Sequence, residues 1–175
     1  MKLLLLFAPL GLLCLALPAA GQHVRGGLMA GPSWPVAESG TAYGALDTGY
    51  GAEGWIGLEL LALPILPRAT FAFDRFSGEQ LSRLDLKSAR IDVLGILREV
   101  PLEPFGFAGV GIASTNYTST SSELPVGVAD PGVMFGAGVG AGRAFGPIRI
   151  TAEARYLTVP DADLDVMQVR LGIGF

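Results

Sequence analysis

Few side chains in this chain could carry chemistry. There is one histidine, His23, and one cysteine, Cys14. Acid–base or nucleophilic catalysis on the usual pattern needs a nucleophile beside an imidazole base, and His23 is the sole imidazole. A Cys/His zinc set is excluded by residue count. Asp161-Ala-Asp-Leu-Asp165 places three carboxylates at alternate positions, like the opening of a calcium loop. The glycine and the distant bidentate glutamate of such a loop are missing, so the segment reads as an acidic, solvated loop. Gly106-x-x-Gly109-x-Gly111 has no helix after it and is not a nucleotide fingerprint. No cofactor and no metal is expected.

What remains is a set of arginines and carboxylates at strand-like spacing: Arg25, Arg68, Arg90, Arg98, Arg149, Arg155 and Arg170, with Glu53, Glu59, Asp74, Asp92 and Glu153. Their chemistry is pairing. The planar, always-charged guanidinium suits buried or half-buried carboxylates better than an ammonium does. The chain as a whole is acidic, with 12 Lys+Arg against 16 Asp+Glu. That balance argues against a nucleic-acid partner, which calls for a basic footprint.

Alternation assigns these charges to one side of a sheet. In Met167-Gln-Val-Arg-Leu-Gly-Ile-Gly-Phe175, the residues Met167, Val169, Leu171, Ile173 and Phe175 share one face, and Gln168 and Arg170 share the other. Period two means a β-strand. Farther back, Ile148, Ile150, Ala152, Ala154 and Tyr156 oppose Arg149, Thr151, Glu153 and Arg155. Ile91, Val93, Gly95 and Leu97 oppose Arg90, Asp92, Leu94, Ile96 and Arg98. Ile56, Leu58 and Leu60 oppose Glu53, Trp55 and Glu59. Phe71 and Phe73 oppose Thr70, Ala72 and Asp74, and Val24, Leu28 and Ala30 oppose Arg25 and Met29. An arginine facing lipid at mid-membrane costs about 2–4 kcal/mol, so this parity makes the charged face the interior.

Eight such segments are expected, near 23–32, 49–62, 67–77, 86–98, 104–117, 132–145, 147–158 and 165–175. The connections 63–66, 99–103 and Gly146 are short and marked by Pro or Gly. The connections 33–48, 78–85, 118–131 and 159–164 are mostly longer. Segments five and six, Phe105-Gly-Phe-Ala-Gly-Val-Gly-Ile and Gly136-Ala-Gly-Val-Gly-Ala-Gly, are apolar or small on both faces, and their lumen face stays open. Aromatics are expected at two interfacial rims: Phe105, Phe107, Phe145 and Phe175 at one, and Tyr50, Phe76, Tyr117 and Tyr156 at the other.

The amino terminus reads as an export signal covering residues 1–21. Lys2 precedes an apolar run from Leu3 to Leu17, and Ala19-Ala20-Gly21 supplies small residues before Gln22. A bulky Leu13 before Cys14 argues against lipoprotein processing. Cleavage before Gln22 removes Lys2 and Cys14, leaving 11 cations against 16 acids and a domain of residues 22–175 without a thiol.

With signal, alternating segments, short Pro/Gly turns and terminal Phe175 together, the chain resembles the small outer-membrane β-barrel proteins of OmpA/OmpX type. Pro104-Phe-Gly-Phe-Ala-Gly-Val-Gly-Ile112 is similar to a strand opening frequent in that family. The resemblance implies an all-β fold, an eight-stranded antiparallel up-and-down transmembrane barrel in the bacterial outer membrane, with both termini periplasmic. It implies partnership with outer-membrane lipid and with the export and barrel-assembly machineries, the latter recognising Met167, Val169, Leu171, Ile173 and Phe175. It also implies a barrel without the periplasmic peptidoglycan-binding domain of larger relatives. Eight strands enclose only enough space for side chains, so the seven arginines and five acids are expected to fill the lumen as a satisfied polar core; a gated ion path is the alternative. The expected function is non-catalytic: envelope structure, surface contact or minor passive permeability. A barrel enzyme acting on lipid and a soluble lipocalin-like binder are the other two readings.

Overall fold

The computed structural model describes residues 22–36, 46–60, 63–78, 81–98, 100–119, 127–128 and 130–175. The expected signal segment 1–21 lies outside the described residues. Eight strands form the wall: β1 Gln22–Pro35, β2 Gly49–Leu60, β3 Ile65–Phe76, β4 Leu81–Ile96, β5 Glu103–Ser119, β6 Gly132–Phe145, β7 Ile148–Val159 and β8 Leu164–Gly174. Each pairs antiparallel with the next, and β1 pairs with β8, so the sheet closes and leaves no edge. A two-residue piece, Gly127–Val128, extends the ladder beside the far end of β5. No helix among the described residues is long and apolar enough to cross a membrane.

The closing seam is zipped by side-chain size and by backbone. Leu28 stands opposite Ile173 and Ala30 opposite Leu171. Gly26 and Phe175 exchange both backbone hydrogen bonds, at 3.1 and 2.9 Å. At the other end of β6, Phe145 pairs with Ile148 across a two-residue turn. Gly146 takes φ +64 there, a conformation other residues rarely adopt.

Two ends of the barrel differ. Turns of four, six and two residues join β2–β3, β4–β5 and β6–β7 at one end. At the other, β1–β2 and β5–β6 are joined by 13 and 12 residues, while β3–β4 and β7–β8, expected to be longer, are joined by four each because their strands run further. β4 begins at Leu81, so residues 81–85 are strand and not part of the expected loop 78–85. At 16 and 17 residues, β4 and β5 exceed the roughly 9–11 that cross a bilayer. Their surplus rises beyond the apolar band at the long-loop end.

Burial alternates along most of the wall, and the open question about β5 and β6 resolves. In β6, Val133, Phe135, Ala137 and Val139 face out, while Gly132, Met134, Gly136, Gly138, Gly140 and Gly142 face in. In β5, Phe105, Phe107, Gly109, Gly111 and Ala113 face in. The β6 glycines are required by close approach. A Cβ on Gly138 would stand 2.6 Å from the Phe107 ring, and one on Gly140 would run into the Phe105 ring.

Candidate functional site: a layered, sealed lumen

The interior is built in layers. At the short-turn end, Arg25 and Arg98 share Glu59, with contacts of 2.5 and 3.2 Å. Arg149 pairs with Glu103 nearby. Glu103 is a lumen acid that sequence reading left in the 99–103 turn; it opens β5 instead, with the same parity as Phe105. Above this rim lies an apolar layer of Leu66, Leu94, Ile96, Phe105 and Phe107.

The middle layer carries the densest charge. Four arginines, Arg68, Arg90, Arg155 and Arg170, meet four carboxylates, Glu53, Asp74, Asp92 and Glu153, and all eight are buried. Arg68 on β3 reaches across the lumen to Glu153 on β7 at 2.6 Å and contacts neighbouring Asp92 at 3.2 Å. Arg155 on β7 reaches Glu53 on β2 at 2.5 Å and also pairs with Glu153. Arg90 lies 3.1 Å from Asp92 and 3.4 Å from Glu53. Thr70 donates to Asp92 at 3.1 Å. These links cross the barrel's bore, so they brace opposite walls against each other. Equal numbers of opposite charges, joined by charge-assisted bonds, are the condition under which burial of ions is tolerable.

The seam has its own brace. Arg170 on β8 donates to the carbonyls of Gly31 and Pro32 on β1, at 2.6 and 3.0 Å, and to Ser33 Oγ at 3.0 Å. It also pairs with Asp74, which Ser33 bonds as well. One guanidinium thus ties together the first and last strands and β3.

Two expected interfacial aromatics belong to this interior. Phe107 lies between two cations, with Arg68 5.1 Å and Arg155 5.5 Å from its ring centre. Arg68 also lies 5.8 Å from Trp55. Such contacts stabilise desolvated guanidinium groups by about 2 kcal/mol each. Phe105 and Phe107 are therefore lumen residues and not part of the short-turn girdle, because the β6 glycine row leaves space for their rings on the inner face. Phe145 and Phe175 do face outward, as do Tyr50 and Tyr156.

Phe76 and Tyr117 are further corrections: Phe76 is 1 % exposed and heads the layer at the long-loop end, and Tyr117 packs against that layer with the inward parity of Ala113 and Thr115. There, Phe76, Leu84, Leu86, Met134, Leu157, Val159, Leu164 and Val166 converge into one buried cluster, with Leu46, Tyr117 and Ala162 packed against it. This apolar cap closes the bore. The cavity near the short-turn end, bounded by Trp55, Glu59, Arg68 and Phe105, measures about 30 Å3, room for about one or two waters. All twelve lumen residues expected from sequence lie on the inner face, within one layered stack.

The outer face is the complement. On the strands, the outward charges among the described residues are Arg75, Arg83, Asp85, Lys87 and Asp165 near the long-loop end and Arg143 near the short-turn end. Between those levels the wall presents exposed Val24, Leu28, Ile56, Phe71, Val93, Val110, Val139, Ile150, Leu171 and Ile173. His23 is exposed at the short-turn end, as the register partner of Glu59 in the rim layer. Among the described residues no cluster of three metal-ligating side chains forms, and Asp161, Asp163 and Asp165 do not converge on a point.

A closed eight-strand wall with an uncharged outer band and a charged, packed bore is the fold of the small outer-membrane β-barrels. The Neisserial surface protein A shares it at a TM-score of 0.71 with 13 % identity, over 88 % of this chain and 97 % of that one. A major outer membrane protein from Thermus thermophilus is similar at 0.56 with 15 % identity, over 87 % and 99 %. Ail, the attachment invasion locus protein of Yersinia pestis, is similar at 0.53 with 16 % identity, over 87 % and 95 %; it was solved in complex with the heparin analogue sucrose octasulfate. No family model and no curated protein matches the sequence.

Proposed function

We propose that this chain is a non-catalytic integral protein of the bacterial outer membrane that acts as a sealed structural barrel, presenting its long connections at the cell surface. The observation that carries this reading is the inverted wall: an uncharged apolar band outside and a charge-balanced network inside. A soluble lipocalin-like binder needs the reverse, an apolar cavity within a polar exterior. A lipid-modifying enzyme of imidazole type needs a histidine near the long-loop end, and His23 stands at the other.

On this reading both termini lie on the periplasmic side. Residues 1–21 act as the export signal. Met167, Val169, Leu171, Ile173 and Phe175 form the stripe read by the assembly machinery. The mutual backbone bonds of Phe175 and Gly26 support a role for the last residue in closing the barrel. Outer-membrane fractionation with heat-modifiable gel mobility tests the location. Removing Phe175 is expected to lower outer-membrane levels while leaving export intact; equal, protease-resistant levels would defeat the assembly role. Planar-bilayer recording of the purified protein tests the seal. Small or intermittent openings are expected, and steady conductance of general-porin size would replace the sealed barrel with a channel.

A further inference from the structure

The outer band is not uniform. On the β1–β3 and β8 side a trough of about 690 Å3 is let into it. Its floor is Ala30, Ala52 and Gly54. Its walls are Leu171 on one side and Phe71 and Phe73 on the other. Register explains the shape: Ala30 stands opposite both Leu171 and Ala52, Ala52 opposite Phe73, and Gly54 opposite Phe71. Small residues flanked by large ones leave a slot along the strand direction, which Leu28, opposite Gly54, narrows at its short-turn end.

A group of cations stands beside the Phe73 wall and toward the long-loop end of the same trough. Lys87, the register partner of Phe73, lies one strand beyond that wall. Arg75, two residues on from Phe73, lies 5.3 Å from its ring centre, and Tyr50 stands opposite Arg75. Arg83 completes the group. Arg75 and Arg83 share a single carboxylate, Asp85, and no ion pair of Lys87 occurs among the described residues. Exposed Asp47, whose backbone bonds Ser77 just past Arg75, is the second acid here, so three cations stand against two acids and the ridge is positive by one charge. It stands where the apolar band ends, the level at which a lipid places its phosphate.

We propose that this face is a binding site for one phosphorylated lipid of the leaflet at the long-loop end. Its phosphate sits on Lys87 and Arg75, with the Tyr50 hydroxyl in reach of the same level, and one acyl chain lies in the trough over Ala30, Ala52 and Gly54. The site needs both halves. Cations alone would hold any phosphate, and a slot alone would hold any chain. The inference rests on the membrane reading above.

The test uses native mass spectrometry of the full folded barrel released from detergent, with dioleoyl phosphatidic acid and dioleoylglycerol as probes, two lipids differing only in the phosphate. One equivalent of phosphatidic acid is expected to stay bound and dioleoylglycerol to leave. Lys87→Ala with Arg75→Ala should weaken retention by about tenfold or more, the loss of one or two charge-assisted bonds. Ala52→Phe, which fills the trough from an exposed outward position, should weaken it similarly. Millimolar inorganic phosphate should not displace the lipid. Equal retention of the two probes, unchanged retention in Ala52→Phe, or displacement by free phosphate would each overturn the site. A two-copy species abolished by Ala52→Phe would assign the trough to a second chain and overturn it too. Heat-modifiable mobility is scored on every sample. Folded protein that fails to retain lipid sinks only this inference, whereas a wild-type chain that neither inserts into vesicles nor shifts on heating sinks the membrane reading along with it.

Discussion

The band and the collar above it are built from the same strands with opposite polarity. Within the band, β4 turns Arg90 and Asp92 inward and Ala89, Ile91 and Val93 outward. A few residues earlier on that strand, Leu84 and Leu86 turn inward and Arg83, Asp85 and Lys87 outward. β7 changes from Arg155 to Leu157, β8 from Gln168 to Val166, and β3 from Asp74 to Phe76 in the same way. The pleat is unbroken; what changes is the solvent. Lipid gives little reward to an apolar interior, so there the bore is held mainly by ions and rings, with one thin aliphatic layer of Leu66, Leu94 and Ile96. Water does reward an apolar interior, so the collar has the core of a soluble β-barrel. A single period-two pattern therefore serves two environments by changing its chemical phase at one level.

The largest effect is expected from attacking the band's interior. Glu153→Gln leaves Arg68 and Arg155 with one anion fewer in a buried, balanced set, and should cost about 3–5 kcal/mol in reversible unfolding from lipid vesicles. A cost under about 1 kcal/mol would mean that water, not pairing, solvates the network. The next separates the two regions directly. Val93→Arg faces the middle of the band and should cost about 2–4 kcal/mol, whereas Ser114→Arg, outward in the collar beside Lys87, should change stability by less than about 0.5 kcal/mol. Similar losses at both would erase the boundary between band and collar. Leu86→Ala opens a cavity in the collar core and should cost about 2–3 kcal/mol; no loss would show that the collar is not a packed core. The smallest effect belongs to the short-turn rim. Arg25 is a third exposed, and Arg25→Ala should cost about 0–1 kcal/mol and become harder to detect in high salt.

These layers were unequally visible in the amino-acid order. Parity on β4, β7 and β8 was legible because charged and branched residues alternate there. The twelve lumen residues were legible for the same reason. β5 and β6 were opaque because glycine and alanine carry no polarity. Their signal is size: Val133, Phe135 and Val139 alternate with Gly136, Gly138 and Gly140, which marks the bulky side as the lipid side. Phe105 and Phe107 were misplaced because an aromatic near a strand end looks interfacial, while the glycine row that receives them is on another strand. Glu103 was missed beside Pro104, where a turn was expected. The collar was missed because alternation gives two faces without saying which solvent either one meets. Leu84 and Leu86 between Arg83, Asp85 and Lys87 carried that information, but only to a reader who lets the strand begin before residue 86.

The collar also sets the height at which the long connections leave the wall. Six surplus residues on β4 or β5 raise the wall by about 15 Å at strand rise and barrel tilt. Phe76, Leu84, Leu157 and Val166 hold that rise together, with Leu46 and Ala162 of the connections packed against them. The barrel is thus a mast more than a ring. The strand ends from which the connections depart are carried on a stiff mount above the apolar band, and the collar core fixes their spacing.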